Sequence, residues 1–220
     1  MSANDHLACP VSRQRPEEEH LNRLTHGVGL CLSLIALGIL SILGFQGGLL
    51  PLFTGVVYGL SLVQLFAVST IYHSVKTGEL KRKLRLLDHC SIYVLIAGSY
   101  TPFMLLGLRD WKGLLMTLLC WGLALYGIRY KCTHSNPFGA RSVLLYLAMG
   151  WMVLLVYKPL MVCLTPAAGL WLLGGGIIYT GGVLFYAWQN LRQSHAIWHL
   201  FVLAGAFCHF VAAVSLFSPR

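Results

Sequence analysis

The stretch that decides the fold is residues 195–217, HAIWHLFVLAGAFCHFVAAVSLF. It contains no Asp, Glu, Lys or Arg, and it is long enough for a helix that crosses a bilayer, which takes about 20 mostly apolar residues. His195 and His199 stand at its start, and positions i and i+4 lie on one face of a helix. The stretch predicts a transmembrane helix that presents two imidazoles at one end. Such a pair suits a metal site, but by itself an i,i+4 histidine pair is more often structural.

The rest of the chain repeats this apolar pattern. The 220 residues are 57% hydrophobic and 10% charged, whereas soluble domains have about 25% charged residues. We therefore predict an all-α integral membrane protein with seven transmembrane helices, in which residues 1–25 form an N-terminal tail and residues 26–220 one transmembrane domain. The predicted helices are 26–45, 50–72, 87–107, 113–129, 142–158, 167–188 and 197–217, of which the fourth and fifth are the least sharply bounded.

The lysines and arginines predict the orientation, because cytoplasmic loops carry the excess of basic residues. One side holds twelve of them: Arg13, Arg15, Arg23, Lys76, Lys81, Arg82, Lys83, Arg85, Arg129, Lys131, Arg141 and Arg192. The other side holds four: Arg109, Lys112, Lys158 and Arg220. This predicts a cytoplasmic N-terminus and an external C-terminus. Topology also accounts for the net charge of +9, so we expect no nucleic-acid partner.

Four other patterns have a simple interpretation. The run KRKLR, residues 81–85, suits anionic lipid headgroups, but the orientation rule already accounts for its charge. The seven cysteines include no C-x-x-C pair, which argues against a disulfide framework. We interpret the six tryptophans as interfacial anchors and the glycines at 174–176 and 181–182 as sites of close helix packing, although a broken, ligand-lining helix is the alternative for these glycines.

Ionisable residues within the predicted helices gather at one level of the membrane. Such residues are costly in a bilayer and are functional candidates. With the orientation above, all but one lie at the cytoplasmic ends, and His209 alone lies deeper. Those at the ends are His26, His73, Asp88, His89, His195 and His199. We therefore expect one pocket in the inner leaflet.

The spacing within this pocket suits a zinc site. Ser69 and His73 share a helix face at i and i+4, as His195 and His199 do. Three histidines and one water are the ligands of many catalytic zinc sites, and Asp88 is the natural acid or base beside that water. Ser69 would hydrogen-bond to a ligand. His89, about 100° around the helix from Asp88, should face elsewhere.

Four segments resemble the hemolysin III family. They are EEEHLNRLTHGVG (17–29, with Glu19, Asn22, Thr25 and His26 in the form E-x-x-N-x-x-T-H), STIYHS (69–74), LLDHCSIYVLIAGSYTPF (86–103) and HAIWHLFVLAGAFCHF (195–210). That family is part of the progestin and adipoQ receptor group, within a superfamily of membrane hydrolases that includes alkaline ceramidases.

The resemblance implies a seven-helix fold with a cytoplasmic N-terminus and a zinc ion bound by His73, His195 and His199, with Ser69 and Asp88 around a water. Glu19 matches a further acidic position whose role stays open. The short N-terminal tail is similar to the bacterial branch, which implies a multi-pass protein of the bacterial inner membrane and no hormone binding.

Three functions remain open at this point. The first is a zinc-dependent hydrolase of a lipid amide or ester, with a membrane lipid as substrate. The second is a non-enzymatic membrane sensor or regulator of lipid or energy state, in which the metal only joins helices. The third, a transporter or pore, is disfavoured because few polar residues lie near the midplane.

Overall fold

Seven apolar helical segments, each long enough to cross a membrane, build the protein. The computed structural model describes residues 16–134, 139–188 and 190–217, and within these ranges there is no β-strand. The prediction of an all-α protein with seven transmembrane helices is confirmed. The helices are α1 (Pro16–Gly47), α2 (Leu49–Ser74), α3 (Glu79–Pro102), α4 (Trp111–Thr133), α5 (Ala140–Trp151), α6 (Tyr157–Cys163), α7 (Pro166–Ala187) and α8 (Ser194–Val214).

The helices form a closed ring. Each of α1, α2, α3 and α4 packs against the next helix, α5 packs against α7, α7 against α8, and α8 returns to α1. More of α3 is buried than of any other segment. The start of α1, the end of α2 and the starts of α3 and α8 lie at the same end of the bundle, which we call the histidine end.

The first helix begins earlier than its apolar run. The run predicts a start at residue 26, but α1 begins at Pro16, where the fixed φ of proline suits the first turn of a helix. Its first turns are polar and contact the ends of other helices. For example, the Glu18 carboxylate accepts a hydrogen bond from the backbone N–H of Gln193, directly before α8. Residues 16–25, which we assigned to the tail, are therefore helical. The division into tail and domain stays a prediction.

The fifth segment contains a break that the sequence does not reveal. Its α-helix ends at Trp151, continues as a 3₁₀ turn over Met152–Val156, and resumes as α6. The third segment likewise ends in a π-helical turn, Phe103–Leu108, directly after Pro102. Proline has no N–H to donate, so the regular helix pattern is disturbed there.

The predictions for glycines and tryptophans have different outcomes. Helix α7 is continuous through its glycines. Close packing is confirmed at Gly175 and Gly182, where an added Cβ would lie 2.3 Å from His209 Cδ2 and 2.6 Å from Phe201 Cβ, whereas at Gly174 it would meet nothing within 4 Å. The anchor interpretation is wrong for two tryptophans. Trp121 donates its indole N–H to Thr101, and Trp151 donates to Thr180, because each faces a neighbouring helix with a free hydroxyl acceptor.

Candidate metal centre

Three of the predicted histidines meet at the histidine end. His73 comes from the last turn of α2, and His195 and His199 from the first turns of α8. One ring nitrogen of each lies within 4.8 Å of the corresponding atoms of the other two. The ring centroids are 5.4 Å apart for His73 and His195, 5.1 Å for His73 and His199, and 4.6 Å for His195 and His199. This group can hold a metal ion.

Hydrogen bonds decide which nitrogen of two of these rings is available. His73 Nδ1 lies 2.6 Å from Glu19 Oε2, and His199 Nδ1 lies 3.3 Å from the carbonyl oxygen of Asn22. A carboxylate and a carbonyl only accept hydrogen bonds. The Thr25 hydroxyl, 3.2 Å from His199 Nδ1, donates its proton to the carbonyl oxygens of Leu21 and Asn22 and so faces Nδ1 as an acceptor. Nδ1 is therefore the donor in both rings. In a neutral imidazole the other nitrogen, Nε2, then carries the free lone pair. Both rings are therefore set to offer Nε2.

Two buried nitrogens of the histidine cluster have no hydrogen-bond partner within the protein. Nε2 of His73 and Nε2 of His195 are buried and form no hydrogen bond. Buried polar groups in proteins are nearly always hydrogen-bonded, because an unpaired one costs about 1–3 kcal/mol. The two nitrogens belong to the same three-histidine cluster. A metal ion would satisfy both.

The two predicted polar partners lie beside the histidines. Ser69 is one turn before His73 on α2, and its buried hydroxyl forms no hydrogen bond of normal geometry. Asp88, near the start of α3, lies next to Ser69 and His73. Asp88 also lines a cavity together with His195 and His199. The structure thus brings together all five residues that the sequence singled out.

Two further histidines border the same space. His26 stacks on His199 with 3.5 Å between ring centroids and an interplanar angle of 15°. Both of its nitrogens are buried without a hydrogen bond. His89 also lines the cavity, so our expectation that it faces elsewhere is wrong. Helix α3 is surrounded by other helices, and adjacent positions on it can therefore both face inward.

The cavity extends from the histidines into the bundle. It has a volume of about 140 Å³, far more than the roughly 10–15 Å³ that one water needs. Its walls are mainly apolar and aromatic side chains of α3, α5, α7 and α8. His209 lines its deep part and, ten residues after His199, lies about 15 Å further along α8. The cavity is therefore polar at the histidine end and mostly apolar beyond it.

Sequence reasoning missed the burial of two lysines, Lys81 and Lys131, which are 1% and 2% exposed. Lys81 was counted only as a basic residue of the KRKLR run, but it is 1% exposed and donates to Glu19. Arg82 and Lys83 of the same run are exposed and pair with Glu79. The sequence signal that could have revealed the burial of Lys81 was Glu19, because a carboxylate at the membrane edge needs a partner of opposite charge.

Comparison with known proteins places the chain in a family. The family model described as haemolysin-III related matches residues 14–210. The chain belongs to this family. It is 41% identical over 191 residues to hemolysin-3 of Bacillus cereus, covering 86% of this chain and 87% of that protein. It is 40% identical over 191 residues to the hemolysin-3 homolog of Bacillus subtilis, covering 86% and 90%.

A human protein is also similar to this haemolysin-III related chain. Monocyte to macrophage differentiation factor of Homo sapiens is 35% identical over 170 residues, which cover 72% of this chain and 68% of that protein. The family resemblance seen in the motifs is thereby confirmed, and the chain is a multi-pass membrane protein.

Proposed function

We propose that this protein is a zinc-dependent membrane hydrolase that cleaves an amide or ester bond of a lipid. The observation that carries the proposal is the position of the three-histidine cluster, at the polar end of an apolar cavity and beside Asp88 and Ser69. A metal that only joined helices would need no such cavity next to it.

The donor set supports zinc as the metal. Three imidazoles with one open position are typical of catalytic zinc sites. The buried, unpartnered Nε2 atoms of His73 and His195 and the occupied Nδ1 of His199 support binding through Nε2. Metal-bound histidines usually donate their other ring N–H to a carboxylate or carbonyl, and Glu19 and Asn22 supply these acceptors here.

The neighbouring side chains support hydrolysis. Zinc in this site would polarise the substrate carbonyl and lower the pKa of a water molecule to about 7. Asp88 would accept a proton from a water molecule as the water oxygen adds to the carbonyl carbon, and it would return that proton to the leaving nitrogen or oxygen when the C–N or C–O bond breaks. The Ser69 hydroxyl donates a hydrogen bond to the substrate carbonyl oxygen as negative charge develops on it.

The cavity supports a lipid as the substrate. An acyl chain would lie among the apolar residues between His199 and His209, with its carbonyl at the histidines. A substrate that is polar throughout would leave unpaired polar groups against these walls, which is costly. The excess of basic residues at the histidine end supports a cytoplasmic position for the site. The membrane would be the cell membrane of a bacterium, or the inner membrane in a bacterium that has two membranes.

The proposal is tested with protein purified in detergent. We expect about one zinc per wild-type chain, loss of zinc in His195→Ala, and hydrolysis by the wild type of one class in a panel of ceramides and phospholipids. Asp88→Asn should keep its zinc and lose about 10²–10⁴-fold in rate, because a positioned acid or base contributes that much. His134→Ala is the matched control, since His134 is exposed at the end of α4.

Four results would contradict the proposal. Wild-type protein without zinc, or equal zinc in His195→Ala, would exclude the metal site. Full activity of Asp88→Asn would exclude its role as acid and base. Zinc-loaded wild type that cleaves no lipid in the panel would favour the non-enzymatic sensor with a structural metal.

A further inference from the structure

The Glu19 carboxylate joins three helices at the histidine end. Its Oε2 accepts from His73 Nδ1 at 2.6 Å, and its Oε1 accepts from Lys81 Nζ at 2.8 Å. The three residues belong to α1, α2 and α3. The side chains of His73 and Lys81 are 0% and 1% exposed, and that of Glu19 is 13% exposed. This network is therefore shielded from water.

Lys81 is held on several sides. Besides Glu19, its ammonium donates to the carbonyl oxygen of Tyr72 at 3.1 Å and lies 4.4 Å from the centroid of the Tyr72 ring. A buried charge is tolerated only when it is paired and hydrogen-bonded. These contacts fix the ammonium in place, and the ammonium fixes one oxygen of Glu19. The other oxygen is thereby aimed at His73.

We propose that Glu19 and Lys81 are positioning residues of the metal centre. Glu19 holds the proton of His73 on Nδ1 and fixes the ring so that Nε2 faces the other two histidines. Lys81 holds Glu19 in the orientation that does this. The inference rests on the metal-binding part of the proposed function and is independent of hydrolysis.

The neighbouring glutamates provide an internal comparison. Glu17 is exposed and pairs with exposed Arg192 at 3.4 Å. Glu18 accepts from the backbone N–H of Gln193 at 3.1 Å. Of these three consecutive carboxylates, Glu19 is the one that contacts a proposed ligand. Glu17→Gln is therefore a matched control, with the same change of charge on the same turn of α1.

The test measures metal affinity and not activity. Zinc dissociation constants of purified wild type and variants are determined by competition with a chromogenic chelator, and the visible spectrum of the Co²⁺-loaded protein reports ligand geometry. We expect Glu19→Gln to raise the zinc Kd about 10–100-fold, as loss of such partners does, and to change the Co²⁺ spectrum. Lys81→Met should raise Kd less, and Glu17→Gln should leave both measurements unchanged.

The outcomes separate this inference from the proposed function. Wild-type affinity and spectrum in Glu19→Gln would overturn the inference and leave the metal site standing. A wild type that binds neither ion would overturn both. A purely structural network predicts that Glu19→Gln lowers the thermal stability of chelator-treated protein while Kd and spectrum stay at wild-type values. If Glu19→Gln does not fold, Glu19→Asp applies the same test, because its carboxylate is one methylene too short, and an unchanged Kd there overturns the inference.

Discussion

At Gly182 in α7 there is no room for a side chain. An added Cβ would lie 2.6 Å from Phe201 Cβ and 2.8 Å from the indole of Trp198, and a Cβ moves only with its backbone. We expect Gly182→Ala to destabilise the protein by about 1–3 kcal/mol, the usual cost of overpacking. At Gly174, on the same helix, a Cβ meets nothing within 4 Å. Gly174→Ala should therefore be neutral or slightly stabilising.

Thermal unfolding in detergent checks this pair. A lower midpoint for Gly182→Ala beside an unchanged or higher one for Gly174→Ala is the expected result. Equal unfolding midpoints would contradict this prediction, because they would mean that α7 can move away from α8 to accommodate the added methyl group without loss of stability.

Single residues also show which parts of the site a sequence can predict. Helical spacing at the ends of apolar runs predicts His73, His195 and His199, because the spacing and the apolar runs can both be read directly from the sequence. The burial of Lys81 does not follow, because a lysine at the membrane edge is normally solvated, and only its contacts with Glu19 on α1 and Tyr72 on α2 make the buried position favourable. Similarly, Asp88 and His89 both border the cavity, although helix geometry alone separates them by about 100°.

Among the elements, the broken fifth segment depends on one hydroxyl of another helix. The Tyr100 OH of α3 donates to the carbonyl of Gly150 at 3.0 Å and accepts from the N–H of Val153 at 2.7 Å. A backbone group without a partner is costly inside a membrane. We expect Tyr100→Phe to destabilise the protein by about 1–3 kcal/mol, because it leaves the Val153 N–H without its acceptor.

The measurement is again the unfolding midpoint in detergent, with Tyr126→Phe as control because Tyr126 is 60% exposed. A Tyr100→Phe midpoint equal to that of Tyr126→Phe would show that the 3₁₀ turn over Met152–Val156 satisfies its own backbone groups.

This hydroxyl explains why the number of helices was predictable and their shape was not. Seven apolar runs of sufficient length are a property of each segment alone, so composition identified all of them. The 3₁₀ turn arises from a contact between α3 and α5, residues far apart in the sequence. The early start of α1 has the same origin, because its polar first turns are stabilised by contacts such as that of Glu19 with His73.

The orientation of the whole molecule in the membrane determines which leaflet the candidate site faces. The histidine end carries the larger share of the basic residues, and the positive-inside rule predicts that this end lies in the cytoplasm. Two exposed positions report on opposite ends without changing the basic count: Thr77, between α2 and α3, and Ala167, in the first turn of α7. Each is changed to Cys in a variant whose native cysteines are replaced by serine.

A membrane-impermeant maleimide applied to intact cells or spheroplasts should label Ala167→Cys and should label Thr77→Cys only after permeabilisation. This expected pattern places the three histidines at the inner leaflet, so a lipid substrate would be supplied by the cytoplasmic face. The reverse pattern would contradict the prediction from charge. Because the three-histidine cluster lies at one end of the cavity, the site would then draw its substrate from the outer leaflet, and a lipid panel for the hydrolysis assay would have to be chosen from that leaflet.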